Sequence, residues 1–197
     1  ETLYMLGISE GEDSWTFDNH LRLYDEDNLG YAGVADVNSP WGYQIAIEDG
    51  NWGDVYKLGE GDANAGTLAF GTENNIPAPD GGLYFFDVSL KALTYKLTAL
   101  GSEIYVAGLN KLEDETWTFE PLPAATTAGV FSGSITITQP SAWGFKIYLF
   151  DNNWDYVYGG NGGELYYKGN GITDDATLAP GTYTLTVDLI HATYTIE

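Results

Sequence analysis

The chain has 197 residues, with 29 Asp and Glu against seven Lys and Arg, a formal net charge of −22 and no cysteine. A chain this negative repels the phosphates of nucleic acids and anionic lipids, so both are excluded as partners. The lack of cysteine excludes disulfides and thiolate metal sites. No apolar run is long enough to span a bilayer. No secretory leader precedes the first predicted strand, at 3–6, so we expect the chain to derive from a longer precursor.

Each copy of an internal repeat is predicted to be all-β, because short aromatic and β-branched runs alternate with Gly, Asn, Asp and Pro. In the second copy, strands are predicted near 103–107, 115–119, 129–137, 143–150, 155–158, 163–167, 182–188 and 192–196. So many short strands in about 100 residues favour an immunoglobulin-like β-sandwich. The fold prediction is therefore two tandem immunoglobulin-like β-sandwiches.

The repeat itself is read from the tryptophans, all of which pair at an offset of 102 residues. The pairs are Trp15 with Trp117, Trp41 with Trp143, and Trp52 with Trp154. Toward the end of each copy the offset becomes 99, which indicates a short insertion or deletion. A tandem duplication of one fold predicts two domains, 1–100 and 101–197, each large enough to bury its own core.

The stretch 143–158 combines a strand, a polar turn and a second aromatic run. Phe145, Ile147 and Leu149 alternate with Lys146, so the three apolar side chains should face the core and the lysine should face solvent. Flat aromatic rings stack on the apolar face of a pyranose at low ordering cost, and neighbouring polar groups bind its hydroxyls. The candidate carbohydrate-binding residues are Trp143, Lys146, Asn153, Trp154, Asp155, Tyr156 and Tyr158 in the second copy, and Trp41, Gln44, Asn51, Trp52, Asp54 and Tyr56 in the first.

Any of these aromatic residues could instead belong to a core. Trp15 and Trp117 lie in Trp-Thr-Phe runs that favour burial. Trp52 and Trp154 stand beside Asn and Asp in predicted turns, which favours exposure. For a third group the sequence leaves burial and exposure equally open: Trp41, Trp143, Tyr56 and Tyr158.

The order of motifs resembles a known family. The motifs are Phe-Lys-Ile-Tyr at 145–148, Asn-Asn-Trp-Asp at 152–155, Gly-Thr-Tyr-Thr-Leu-Thr-Val-Asp-Leu at 181–189 and Thr-Tyr-Thr-Ile at 193–196. This order resembles the starch-binding modules of SusE/SusF-type outer-membrane lipoproteins, and it is similar to related modules of pullulanases and amylases. The resemblance extends over both copies, and hence over nearly the whole chain.

The resemblance implies a non-catalytic, tandem β-sandwich protein held at the cell surface of the outer membrane by an upstream lipid anchor. Each module would bind starch or another α-glucan on an aromatic cradle with a basic residue, without a cofactor. The cradles would be Trp143, Lys146, Trp154 and Tyr158 in the second copy, and Trp41, Gln44, Trp52 and Tyr56 in the first. Because Gln44 replaces the basic residue, the second module is expected to be the stronger site. Other components of a glycan uptake complex are implied partners.

Other functions stay open beside this one. The wider group also includes binders of other glycans, such as xyloglucan, β-glucan or levan. An exposed aromatic patch also suits a surface adhesion or structural protein. The acidic loops 25–28 and 59–64 could hold calcium, but neither has the spacing of the twelve-residue calcium loop. A glycoside hydrolase needs two carboxylates at a set separation, and no Asp or Glu stands in an apolar setting that would identify one.

Overall fold

The computed structural model describes residues 1–9 and 15–197, and strands dominate it throughout. The all-β prediction is therefore confirmed. The chain divides into two compact units, Glu1–Ala99 and Leu100–Glu197. None of the helical segments in the described part of the chain is long and apolar enough to cross a membrane.

The described residues of the first unit, 1–9 and 15–99, form eight strands. They are β1 (Thr2–Leu6), β2 (His20–Asp25), β3 (Gly30–Val37), β4 (Gln44–Ala46), β5 (Val55–Gly61), β6 (Ala65–Phe70), β7 (Gly82–Ser89) and β8 (Thr94–Ala99). Antiparallel hydrogen bonding runs through them in the order β1-β2-β3-β7-β8-β6-β5-β4, and β4 pairs back onto β1. The unit is thus a closed barrel, and the two separate sheets of an immunoglobulin-like sandwich are not what its hydrogen bonds form.

The second unit repeats this arrangement. Its strands are β9 (Glu103–Ala107), β10 (Phe119–Pro123), β11 (Val130–Ile137), β12 (Lys146–Tyr148), β13 (Val157–Asn161), β14 (Glu164–Tyr167), β15 (Gly181–Asp188) and β16 (Thr193–Ile196), with a 3-10 helix at Asp174–Thr177. Their order is β10-β9-β12-β13-β14-β16-β15-β11, the same circular order as in the first unit. Here the contact between β10 and β11 is reduced to the isolated bridge between Ala124 and Phe131.

Two prolines explain why this ladder is missing. The amide of Ala124 donates to the carbonyl of Ser102, on the β9 side of β10. Amide direction alternates along a strand, so positions 121 and 123 direct their nitrogens toward β11. Both positions are proline, which has no N–H to donate. The corresponding strand of the first unit, β2, has His20 and Arg22 there, and it pairs with β3 from Arg22 to Asp25, with a register irregularity between Leu23 and Asp25.

Each unit encloses an apolar core. In the first unit it is formed mainly by Leu3, Met5, Leu21, Val37, Tyr43, Ile45, Phe86, Val88 and Leu97. The equivalent buried side chains of the second unit include Ile104, Val106, Phe131, Ile135, Phe145, Ile147, Leu165, Leu185 and Val187. Alternate residues of the strands therefore face outward, and this outer face holds the candidate site.

The predicted strands of the second copy agree in part with these bounds. Five of them match to within one residue: 103–107, 129–137, 163–167, 182–188 and 192–196. The prediction at 115–119 is wrong because β10 starts only at Phe119, and the prediction at 143–150 shortens to Lys146–Tyr148. The strand predicted at 155–158 starts at Val157, so Trp154 and Tyr156 lie in the preceding bend.

Candidate functional site

The short strand β12 separates the core from the outer surface of the second unit. Phe145, Ile147 and Leu149 are buried, as their spacing predicted. Lys146 and Tyr148 alternate with them and therefore lie on the outer face. In the first unit, Tyr43 and Ile45 of the corresponding segment are buried, and Gln44 lies on the outer face.

The Trp-Gly pair before each of these strands fixes an exposed indole. Gly42 and Gly144 have φ of 78° and 72°, and a Cβ on them would lie 2.5 Å and 2.4 Å from the carbonyl oxygens of Ile76 and Ile172. Only glycine tolerates both the left-handed φ and this approach. The tight turn places the preceding residues Trp41 and Trp143 on the surface, 73 % and 58 % exposed.

Lys146 is held in place rather than fully solvated, which corrects the sequence interpretation. The side chain is half-buried, and its Nζ donates to the carbonyl oxygen of Gly169 at 2.9 Å. The segment at 169–172 is in turn bound to the strand, since Phe145 and Ile172 form a β-bridge. An ammonium group has three donors. Lys146 thus keeps donors for a ligand while its position is fixed.

Trp154 covers an aromatic cluster on the outer face of the second unit. Its ring packs edge-on against Trp117, Phe119 and Tyr148, with centroid separations of 5.4, 5.4 and 5.3 Å. Burial beneath these rings raises the pKa of the Tyr148 hydroxyl to about 12. Trp154 is still 49 % exposed. The predicted exposure of this residue is confirmed, but one side of its ring contributes to packing.

Trp117 occupies the inner part of this cluster and is half-buried rather than a core residue of the barrel. Gly108 lies against its ring, because a Cβ there would come within 2.6 Å of it. The Nζ of Lys111 lies 5.1 Å from the centroid of the Trp117 ring and donates to the carbonyl oxygen of Leu112. This cation–π contact accounts for a lysine that is 5 % exposed.

The first unit has the same feature with smaller side chains. Leu6, Ala46 and Val55 form a second apolar cluster outside the barrel core, covered by Tyr4, Trp15 and Phe17. Trp52 packs edge-on against Phe17 at 5.1 Å and is 54 % exposed. The predicted exposure of Trp52 is confirmed, and its environment matches that of Trp154.

The tyrosines of the predicted cradles do not face solvent in the same way. Tyr158 is 3 % exposed and pairs with Ile147 on the inner side of β13, so its ring cannot stack on a ligand. Including it among the surface residues was wrong, because the strand starts at Val157 and the alternation does not continue from Trp154. Tyr56 is half-buried against the core and contacts Phe70, and Tyr156 is half-buried against Phe150.

The predicted polar residues of the turns mainly stabilise the turns. The side chain of Asn153 accepts from the backbone N–H of Asp155, and the carbonyl oxygen of Asp155 accepts from the Tyr167 hydroxyl. In the first unit, Asn51 donates to the carboxylates of Glu48 and Asp54. The bonds of Asn153 and Asn51 use part of the side-chain capacity that the sequence interpretation assigned to a ligand, whereas Asp155 bonds Tyr167 through its backbone.

Two residues beside the exposed tryptophans were missed. Asn75 accepts from the side-chain amide of Gln44 at 2.9 Å, and its own amide donates to the carbonyl oxygen of Trp41. In the second unit, Asp175 is fully buried and accepts from the backbone N–H of Ser141, two residues before Trp143. The repeat gives no signal for Asn75, since the segments 74–76 and 170–172 share the pattern Asn-x-Ile and Asn75 stands at the variable position, where the second copy has Gly171.

The acidic loops are organised as turns. Asp25 accepts from the backbone and side chain of Asn28. Asp62 accepts from the backbone N–H groups of Asn64 and Ala65, which hold the pKa of its carboxyl below the usual range. Within residues 1–9 and 15–197, no three His, Asp or Glu side chains are grouped so as to hold a metal ion.

A family model described as "Domain of unknown function (DUF8037)" matches residues 1–99, half of the chain. The chain belongs to this family. A search of curated proteins found no match to this DUF8037 member. Among solved structures, it is similar to the crystal structure of SusF from Bacteroides thetaiotaomicron, with 16 % identity and a TM-score of 0.36. The match covers 99 % of this chain and 48 % of SusF, so the chain spans about half the length of that protein. A TM-score this low does not establish a common fold.

Proposed function

We propose that the chain is a non-catalytic polysaccharide-binding protein with one binding site on each unit. The observation that supports this best is the pair of exposed indoles, Trp41 and Trp143, at equivalent places in the two units. In each unit a glycine with an enforced left-handed φ keeps the indole on the surface. Large aromatic side chains held in solvent at equivalent positions indicate a ligand that packs against them.

The polar groups near each indole suit sugar hydroxyls. Lys146 is anchored to Gly169 by one donor and keeps two others for a ligand. The amide groups of Gln44 and Asn75 bind each other and retain further donors and acceptors. Rings with a few fixed polar groups are the usual composition of a carbohydrate site, and such a site binds internal stretches of a polymer weakly.

Trp52 and Trp154 supply a second, partly covered ring in each unit. Since Lys146 and Tyr148 share the outer face of β12, the ammonium lies on the same side of the strand as the cluster beneath Trp154. We include both tryptophans in the sites, with Trp41 and Trp143 as the main stacking surfaces. Two linked sites gain avidity when one polymer reaches both.

Starch or another α-glucan is the proposed ligand, because the motifs of the second copy resemble the starch-binding modules of SusE/SusF-type lipoproteins. The same resemblance supports a place on the outer surface of the bacterial outer membrane, with a lipid anchor upstream and other uptake components as partners. In that setting the protein would hold polysaccharide at the cell surface for uptake.

Affinity electrophoresis tests this proposal with native gels that contain amylopectin, pullulan, xyloglucan, β-glucan, xylan or levan. We expect amylopectin and pullulan to retard the chain, and the double variant Trp41→Ala/Trp143→Ala to lose this retardation. Leu93→Asn is the matched control, since it removes an exposed apolar side chain from the β7–β8 turn at the other end of the barrel.

Each outcome of this experiment has a definite meaning. Retardation only by a different polymer would retain glycan binding and change the proposed ligand. Retardation that persists in the double variant would place the site elsewhere. No retardation in any of the six gels would contradict glycan binding and favour an adhesion role for the exposed rings.

A further inference from the structure

We propose that Lys57, on β5, supplies the ligand-binding ammonium group of the first unit, in place of the basic residue that Gln44 lacks. This inference rests on the proposed function and names a residue that determines how the first site binds. It also changes the expected ranking of the two sites, since the first unit then has a basic residue of its own.

Lys57 lies on the same outer face as Gln44. Ile45 pairs with Tyr56, and both side chains contact the barrel core. Gln44 and Lys57 are the next residues along this antiparallel ladder, so both point outward. Val55, two residues before Lys57, is already part of the outer apolar cluster.

The segment 74–76 connects these two strands where they separate. Ile76 forms a β-bridge with Tyr43, and the carbonyl oxygen of Asn74 accepts from the backbone N–H of Leu58. Between them, Asn75 binds the side chain of Gln44. Lys57 therefore stands on the opposite side of this segment from Gln44.

In the second unit, the lysine stands at the position that corresponds to Gln44, not at the one that corresponds to Lys57. The residues equivalent to Gln44 and Lys57 are Lys146 and Gly159. A Cβ on Gly159 would lie 1.8 Å from the carbonyl oxygen of Asn170 and 2.4 Å from that of Gly169, so no side chain fits there. Each unit thus has one lysine at this pair of outer positions, on β12 in the second unit and on β5 in the first.

The ammonium of Lys57 is available for a ligand. Among the described residues it makes no hydrogen bond and no ion pair, although the chain carries 29 acidic residues. The equivalent group in the second unit, Lys146, already donates to Gly169. Lys57 lies on β5 and Gln44 on the neighbouring strand β4. The backbone of Lys57 is therefore at least one strand spacing, about 4.8 Å, further from Trp41 than the backbone of Gln44. We therefore expect the first site to need a longer oligosaccharide than the second.

The experiment uses the full chain with Trp143→Ala, so that the first unit alone binds amylopectin in affinity gels. In this background Lys57→Gln should weaken retention by about tenfold, the usual effect of losing a charge-assisted hydrogen bond. Lys57→Arg should retain most of the binding because it keeps the cation. Lys96→Gln is the matched control, an exposed lysine on β8 whose replacement causes the same change in net charge.

The outcomes separate this inference from the proposed function. Equal retention of Lys57→Gln and its parent would overturn the role of Lys57 and leave glycan binding intact. Equal loss in Lys57→Gln and Lys96→Gln would also overturn it, since overall charge would then be the cause. If the Trp143→Ala parent is not retarded while the unmodified chain is, the first unit has no site of its own and the inference fails. If the unmodified chain is not retarded by any polymer, both proposals fail.

Discussion

At the scale of single residues, exposure and packing separate the two tryptophans of each candidate site. Trp143 is mostly exposed, because it immediately precedes the turn at Gly144. Trp154 is half-exposed and packs on three aromatic rings. A side chain that only stacks on a ligand can be removed without loss of stability. Removing a side chain that also covers an apolar cluster lowers stability.

Trp143→Ala and Trp154→Ala should therefore differ in stability. We expect Trp143→Ala to change the free energy of unfolding of the second unit by less than about 0.5 kcal/mol. Trp154→Ala should cost about 2 kcal/mol, because it removes several edge-on ring contacts and uncovers Tyr148. Urea unfolding followed by circular dichroism measures both. Equal stability of the two variants would show that Trp154 contributes nothing to packing.

Asp175 gives a second prediction at this scale. Burial raises the pKa of its carboxyl, because the N–H of Ser141 compensates only part of the lost hydration. A raised folded-state pKa means that the ionised form destabilises the fold. This cost is absent below the unfolded-state pKa, about 3.9, and grows as the pH rises through the folded-state value.

The variant Asp175→Asn should thus gain stability relative to the unmodified chain as the pH rises from about 4. The Asn side chain keeps an oxygen for the Ser141 N–H and cannot ionise. Calorimetric melting temperatures over a pH series measure the difference, with the exposed Asp151→Asn as the control for the change in net charge. A difference that does not vary with pH would contradict a cost of ionisation at Asp175.

At the scale of elements, the Trp-Gly turns determine where the strands β4 and β12 begin. Gly144 turns the chain so that only Lys146–Tyr148 join the sheet and Phe145 pairs with Ile172. This explains why the strand predicted at 143–150 starts only at Lys146. The alternation in the sequence was correct for the core side chains, but a glycine with φ of 72° interrupts a strand without changing that pattern.

Gly144→Ala should be much more destabilising than Gly162→Ala. Both glycines have positive φ, 72° and 61°, so both variants incur the left-handed backbone cost of about 1–2 kcal/mol. Only Gly144 adds an overlap with the carbonyl oxygen of Ile172, whereas a Cβ on Gly162 meets nothing within 4 Å. We expect an additional loss of about 2 kcal/mol for Gly144→Ala, together with weaker glycan retention. Thermal unfolding of the two variants provides the comparison.

At the scale of the whole molecule, the duplication produced two units with the same strand order and different closure. Prolines at 121 and 123 remove donors from the side of β10 that faces β11, and the sheet of the second unit is joined there by one isolated bridge. The net charge of −22 belongs to the chain as a whole. It favours solubility and opposes the approach of anionic polymers.

Binding of a neutral polysaccharide should consequently be insensitive to salt. Stacking and hydrogen bonding release no counterions, so retardation by amylopectin should be the same at low ionic strength and in about 1 M NaCl, where the Debye length is ~3 Å. A cationic protein partner would bind this acidic chain much more weakly in the high-salt gel. Loss of retardation at high salt would therefore contradict a neutral glycan held by stacking.

The sequence by itself determined the duplication, the all-β class, the inward-facing residues Phe145, Ile147 and Leu149, and the exposure of Trp52 and Trp154. These follow from local periodicity and turn chemistry, which short segments contain. Only the tertiary structure decided that Tyr158 is buried, that Lys146 is anchored to Gly169, and that Lys57 lies on the same outer face as Gln44. Each of these depends on where a strand begins or on which distant segment lies next to it. The alternation of side chains within one strand specifies neither where that strand begins nor which distant segment lies next to it.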